Sequence, residues 1–219
     1  MILVCGGIKG GVGKTTLATS LAILRSLEGK DVLLVDADDQ GTATDFTAVR
    51  NETMGDRGTG YTSIKLHGAA VRSELLRMKD KYDDIVIDVG GRDTAGQRAA
   101  LAIAHVYVVP FLPGSFDVWT LDAVADLVEE ARAFNDNLRA VCVINRADAK
   151  GTDNAEAATI AQETKGLEFI DSPLGNRKAF RSAAAQGLAV VEVKPTDAKA
   201  IAEIKGLYQN LFDINKNSK

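Results

Sequence analysis

Cysteine and histidine are scarce in this chain, with two of each in 219 residues: Cys5, Cys142, His67 and His105. Both cysteines lie in apolar, strand-like runs, so they read as buried, reduced thiols and argue against a disulfide framework or a metal cluster. The histidines are far apart in sequence, which argues against a zinc site. Aromatic residues make up only 5%, and none interleave with basic residues as single-stranded nucleic-acid stacking would need. Positive charge is in deficit, 26 Lys and Arg against 30 Asp and Glu for a net −4. That argues against a uniformly basic nucleic-acid coat while leaving room for a local basic patch. No apolar run approaches a membrane span, and no basic, hydrophobic presequence precedes the first strand, so the cytoplasm is the expected compartment. What remains is ordinary for a soluble globular protein, 46% hydrophobic and 26% charged, at a length that suits one α/β domain with a full core.

The most informative stretch is Gly6-Gly7-Ile8-Lys9-Gly10-Gly11-Val12-Gly13-Lys14-Thr15-Thr16, preceded by apolar Ile2-Leu3-Val4-Cys5. A long alanine- and leucine-rich segment follows, which gives strand, glycine loop and helix. Gly13-Lys14-Thr15 supplies the G-K-[ST] end of a Walker A pattern, with Ile8 where the standard motif has its first glycine. Backbone donors and the helix dipole make a phosphate cradle. Lys14 can reach the β and γ phosphates, and Thr15 can offer a hydroxyl to Mg²⁺. A plain glycine turn with a surface lysine does not account for this context.

Leu17, Leu21, Leu24 and Leu27 recur at helical spacing before Gly29. Residues 31–36 form a doubly apolar strand ending in Asp36, and a helix follows through Phe46 and Val49. The stretch Asn51–Gly68 carries no assignable motif, and Tyr61–Leu66 within it is a short strand or an edge element. Further strands are expected at Asp84–Asp88, Val106–Pro110, Ala140–Asn145 and Leu167–Ile170, with Val190–Val193 a candidate edge segment. Helices are expected over Ala69–Met78, Thr94–His105, Trp119–Phe134, Ala155–Thr164 and Arg177–Gln186. A last helix, capped by Thr196 or Asp197, carries Ile201, Ile204, Leu207, Tyr208 and Leu211, and 215–219 form a polar tail. Alternating doubly buried strands and helices predict a three-layer α/β/α fold with a mainly parallel central sheet, the P-loop NTPase arrangement.

In such a sheet, ligands sit outside the carboxyl ends of the strands, where Lys14, Asp36, Asp38 and Asp88 fall. Asp88 with Gly91 makes the D-x-x-G of a Walker B strand, suited to hold Mg²⁺, and the Gly91 N–H can sense the γ-phosphate. Of Asp36 and Asp38, one can stand behind the metal while the other orients the attacking water. One such aspartate would read as a turn residue; three converging on a Walker A loop do not.

Lys9 adds a second lysine near the start of the loop, and Lys9-Gly10-Gly11-Val12-Gly13-Lys14-Thr15-Thr16 resembles the deviant Walker A motif of the ParA/MinD superfamily. Asp36-Ala37-Asp38-Asp39-Gln40 resembles its Asp-x-Asp-x-Gln motif. Asp84–Asp88 resembles its Walker B strand, and Val109-Pro110 through Pro113-Gly114-Ser115-Phe116-Asp117 its later proline-containing loop. The resemblance runs over nearly the whole chain, and is closest to short plasmid partition ATPases of the ParF kind. It implies one ATPase domain over 1–219 without a separate N-terminal specific DNA-binding domain. It further implies ATP and Mg²⁺ as cofactors, held at Lys9, Gly10, Gly11, Val12, Gly13, Lys14, Thr15, Thr16 and Gly91, with Thr15, Asp36 and Asp88 at the metal. Lys9 would cross the interface of an ATP-bound homodimer, and Asp38 would position the hydrolytic water. Asn145 matches the adenine-recognising position, where a turn residue is an equal reading, and Pro173-Leu174 resembles the segment closing over the base. Val89-Gly90-Gly91-Arg92-Asp93 departs from the pattern, since many relatives carry a proline there.

Relatives bind duplex DNA non-specifically as ATP dimers and are reset by a small centromere-binding or adaptor protein. By that resemblance, Lys178, Arg181, Lys194, Lys199 and Lys205, with Arg177 as a possible addition, are the candidate DNA contacts; a solvated helix face explains any one of them. The leading expectation is a DNA-segregation ATPase, cytoplasmic and nucleoid-associated, with positioning of a protein cluster or microcompartment as the close alternative. A metabolic P-loop phosphotransferase lacks an identifiable second pocket, and an iron–sulfur ATPase lacks its cysteine pair. A membrane-surface role like that of MinD is minor, because the last helix has few basic residues.

Overall fold

The computed structural model describes residues 1–92, 94–114, 119–150 and 152–212. Asp93, Ser115-Phe116-Asp117 of the proline-containing loop and the tail 215–219 lie outside them.

The apolar runs become strands β1 (Ile2–Cys5), β2 (Val32–Ala37), β3 (Thr62–Lys65), β4 (Asp84–Val89), β5 (Val106–Phe111), β6 (Arg139–Ala147), β7 (Glu168–Phe169) and β8 (Leu174–Gly175). Between and after them lie helices α1 (Lys14–Leu27), α2 (Thr42–Met54), α3 (Ala70–Met78), α4 (Ala95–Leu101), α5 (Thr120–Arg132), α6 (Asp153–Glu163), α7 (Lys178–Ala184) and α8 (Ala198–Phe212). The sheet order is β3-β2-β4-β1-β5-β6-β7, with β8 also on β6, and every described pairing is parallel. Period-two alternation sorts the strands onto two cores. Ile2, Val4, Leu33, Val35, Ile85 and Ile87 face α3 to α6; Leu3, Cys5, Leu34, Val86 and Val108 face α1, α2, α7 and α8. Helices on both faces of a parallel sheet explain why these strands lack polar alternation. The three-layer α/β/α expectation is therefore met.

The order also places the crevice. β1 lies between β4 and β5, and the chain crosses from one side of β1 to the other between those two strands. Its carboxyl end, where the glycine loop begins, is the switch point at which open parallel sheets bind ligands.

Two local expectations change. Val190–Val193 forms a turn, not an edge strand. Its Glu192 is drawn inward by Arg50, whose guanidinium donates to both carboxylate oxygens at 2.9 Å, and it also accepts from Ala189 N at 2.9 Å. At α8 the cap is Asp197 and not Thr196, since its Oδ1 accepts from Lys199 N and Ala200 N. Within Asn51–Gly68, α2 runs on to Met54, and β3 is the edge strand of the sheet. Among the described residues no helix is long and apolar enough to cross a membrane.

Candidate nucleotide cleft

The loop from β1 into α1 is open at its tip and tight at its base. Gly13 precedes α1 with φ +96°, and a Cβ there would come within 2.2 Å of Asn145 Nδ2, so only glycine lets Asn145 reach over the loop. The first turn of α1 has neither a side-chain cap nor an acidic residue. Its free N–H groups and dipole therefore stand ready for an anion. Across the cleft, Gly91 rests on the loop backbone: a Cβ there would lie 2.7 Å from Gly10 N. The segment after β4 thus touches the phosphate loop directly.

Lys14 is 7% exposed, and its ammonium folds back to donate to the Lys9 carbonyl at 2.6 Å. Burial lowers its pKa, while Asp88 and Asp38 pull it the other way. Asp88, opposite Cys5 in the β1 pairing, is fully buried, and among the described residues no donor meets either carboxylate oxygen in good hydrogen-bond geometry, although the Thr15 hydroxyl is near enough to act on its charge. Burial pushes its pKa up to about 7; the Asp36 and Asp38 charges add to this, and the Thr15 hydroxyl and Lys14 ammonium oppose it. An orphaned carboxylate in a protein interior is costly, and a cation relieves it. Among the described residues no three His, Cys, Asp or Glu side chains gather to hold a metal on their own. Asp88 and Thr15 suit an Mg²⁺ ion whose remaining ligands are water and phosphate.

Asp36 is also fully buried, but its oxygens are used inside the fold. They accept from Asp38 N at 3.1 Å, Thr44 N at 2.8 Å and Thr44 Oγ1 at 2.7 Å. Asp36 clasps the loop that carries Asp38 to the first turn of α2, and it does not line the cleft. Asp38 does line it, with its Oδ1 accepting from Gln40 N and lying against Gly90. Gly10, Gly11, Gly13, Lys14, Thr15, Thr16, Gly91, Arg92 and Arg146 line it too, with Asp39, Gln40, Thr42, Gly90 and Thr94, around about 620 Å³, a ligand-sized volume. Lys9 and Thr16 are half-buried and Val12 is buried beneath the loop.

Beside this cleft is a smaller pocket lined by Asn145, Leu174, Phe180, Arg181 and Ile204, of only about 40 Å³. It is closed to a nucleobase as it stands. Asn145 Nδ2 donates to Val12 O at 2.6 Å and its Oδ1 accepts from Arg146 N at 2.9 Å. Leu174 borders the pocket, whereas Pro173 is exposed and does not. Lys178, Lys194, Lys199 and Lys205 are exposed, with no ion pair among the described residues, and Arg181 lines the pocket. Arg177 is half-buried and already paired, its guanidinium donating to both oxygens of Glu203. Sequence reasoning missed Arg92 and Arg146, two cleft-lining cations with no ion pair among the described residues, and Thr44, the partner of Asp36. The available signal was position: Arg92 follows Gly91, and Arg146 follows Asn145 at a strand end.

Similar proteins follow the same outline. The maintenance of carboxysome distribution protein A of Halothiobacillus neapolitanus is 25% identical over 221 residues, covering 96% of this chain and 95% of that protein. The chromosome-partitioning ATPase Soj of Thermus thermophilus is 32% identical over 164 residues, 62% of this chain and 65% of its own length. Among solved structures, apo McdA of Cyanothece superposes with a TM-score of 0.77 at 20% identity, over 96% of this chain and 98% of that one. These matches do not single out partition ATPases of the ParF kind. The family model for the CobQ/CobB/MinD/ParA nucleotide-binding domain matches residues 2–190. With its Walker-type phosphate loop and parallel sheet, the chain belongs to that family.

Proposed function

We propose that this protein is an ATP-driven positioning switch whose cargo is a protein assembly. The observation that carries this reading is the match along nearly the whole chain to a carboxysome distribution protein. Lys14 and the free N–H groups of α1 bind the terminal phosphates, and Lys9 reaches those bound by a second copy. Thr15 and Asp88 hold Mg²⁺, which supplies charge neutralisation at the phosphates. Asp38, steadied through its backbone by Asp36, orients the attacking water. The Gly91 N–H faces the γ-phosphate, and Asn145 with Leu174 borders the base. Hydrolysis separates the two copies, and a small adaptor protein speeds that reset. The protein works in the cytoplasm, with nucleoid DNA as its track.

The second reading, partition of DNA itself, is favoured by the similarity to a chromosome-partitioning ATPase and by the unpaired Lys178, Lys194, Lys199 and Lys205. Both readings use the same non-specific phosphate contacts. Deleting the gene in the source organism separates them. The expected result is a mis-spaced protein assembly with chromosomes and plasmids inherited normally. Loss of a replicon, with every assembly correctly placed, overturns the cargo reading in favour of partition.

A further inference from the structure

Strand β6 ends in an irregularity that the ATPase machinery described above does not use. Its pairing with β8 shifts between Asn145, opposite Leu174, and Ala147, opposite Gly175, which leaves Arg146 as the extra residue of a bulge. Arg146 has φ +53° and is the sole non-glycine residue with positive φ among the described residues. That conformation is unfavourable for a side chain bearing a Cβ. It is held by the Asn145 amide, which accepts from Arg146 N while donating to Val12 O in the phosphate loop. Strained residues of this kind persist where their surroundings over-determine them, and they concentrate at functional sites.

The bulge places Arg146 at a junction. Among the described residues only Gly13, Thr16 and Arg146 line both the phosphate cleft and the adjoining base pocket. Arg146 is exposed, and among the described residues it has no ion-pair partner. A nucleotide whose terminal phosphates lie at Lys14 and whose base lies near Leu174 spans that junction with its ribose and α-phosphate. Of these two groups only the α-phosphate is anionic, and a guanidinium matches its paired oxygens.

We propose that Arg146 is a nucleotide-binding residue that donates to the α-phosphate, and that the Asn145-held bulge exists to aim it there. This rests on the nucleotide reading above. The test titrates the full chain, as wild type, Arg146→Asn and Arg146→Lys, with Mg-ADP and with Mg-ATP in a calorimeter, at low and high potassium chloride. Asparagine tolerates positive φ, so Arg146→Asn should hold or raise the melting temperature of the free protein. It should weaken ADP and ATP alike by about tenfold or more, and Arg146→Lys should recover part of that loss. Salt should narrow the gap between wild type and Arg146→Asn, because an exposed ionic contact is screened. Unchanged affinity in Arg146→Asn overturns the proposal. So does a gap indifferent to salt, which would mark stacking on the base, or a loss that comes with a lower melting temperature. A wild type that binds neither nucleotide would instead overturn the nucleotide reading itself.

Discussion

Asp88 is an acid in the wrong solvent. With its pKa at about 7, it keeps its proton in the native state over a range where an unfolded chain has lost it. From about pH 4 to about pH 7 the native state therefore binds the extra proton, and stability falls as pH rises through that window. Above it the full penalty remains, about 4 kcal/mol. Asp88→Asn should remove this slope in denaturant titrations of the nucleotide-free protein, with its largest gain in stability above about pH 7. The same variant should lose Mg²⁺-dependent nucleotide binding. A pH profile identical to wild type would show that Asp88 is not the titrating group. Gaining stability while losing ligand is the signature of a residue kept for its site.

Helix α2 presents a stripe of Ala43, Phe46 and Arg50 to the core, so an arginine occupies what would be an apolar position. Arg50 is 2% exposed and pairs with Glu192, while also donating to Thr59 O at 2.7 Å and Gly187 O at 3.0 Å. Gly187 makes room for it: a Cβ there would lie 2.3 Å from Arg50 N. Through this one side chain, the helix that follows the Asp38 loop is tied to the turn before α8. Arg50→Ala should cost roughly 3–5 kcal/mol, because Glu192 and two carbonyls are left without their partner in the interior. Chemical denaturation checks this, and Arg50→Ala combined with Glu192→Ala should be less damaging than the sum of the two single changes.

Taken as a whole molecule, the protein exposes its phosphate loop at one end of the sheet, with Lys9 half-buried beside an open Gly10 and Gly11. If two copies meet through this end, Lys9→Ala should keep much of the ATP binding and lose the ATP-dependent dimer. Size-exclusion chromatography with light scattering reads the outcome, and an unchanged dimer overturns the role given to Lys9. The acidic balance of −4 makes any DNA contact a property of one face, so the salt dependence of DNA retention should follow the few unpaired lysines on α7, α8 and the turn between them.

The fold class and most cleft-lining positions were legible in the sequence, and the reasons are local. Doubly buried parallel strands leave continuous apolar runs, as in Asp84–Asp88 and Ala140–Asn145, and Gly13-Lys14-Thr15 is constrained by phosphate geometry alone. Asp38, Asp88 and Gly91 could be found because strand ends share one side of a parallel sheet. Other features depend on partners distant in the chain. Asp36 and Asp38 look alike as letters, yet Thr44 turns one inward as a clasp and leaves the other facing the cleft. Arg50 is indistinguishable from a surface arginine until Glu192 is found 142 positions away. The same pairing makes Val190–Val193 a turn despite its strand-like composition. Arg146 owes its conformation to an asparagine held by Val12, 133 residues earlier in the chain. Backbone periodicity and phosphate chemistry are written in short stretches, and so they survive in the sequence alone. The protonation of Asp88, the burial of Arg50 and the aim of Arg146 arise from desolvation and long-range hydrogen bonds, which come into being only when the chain has folded.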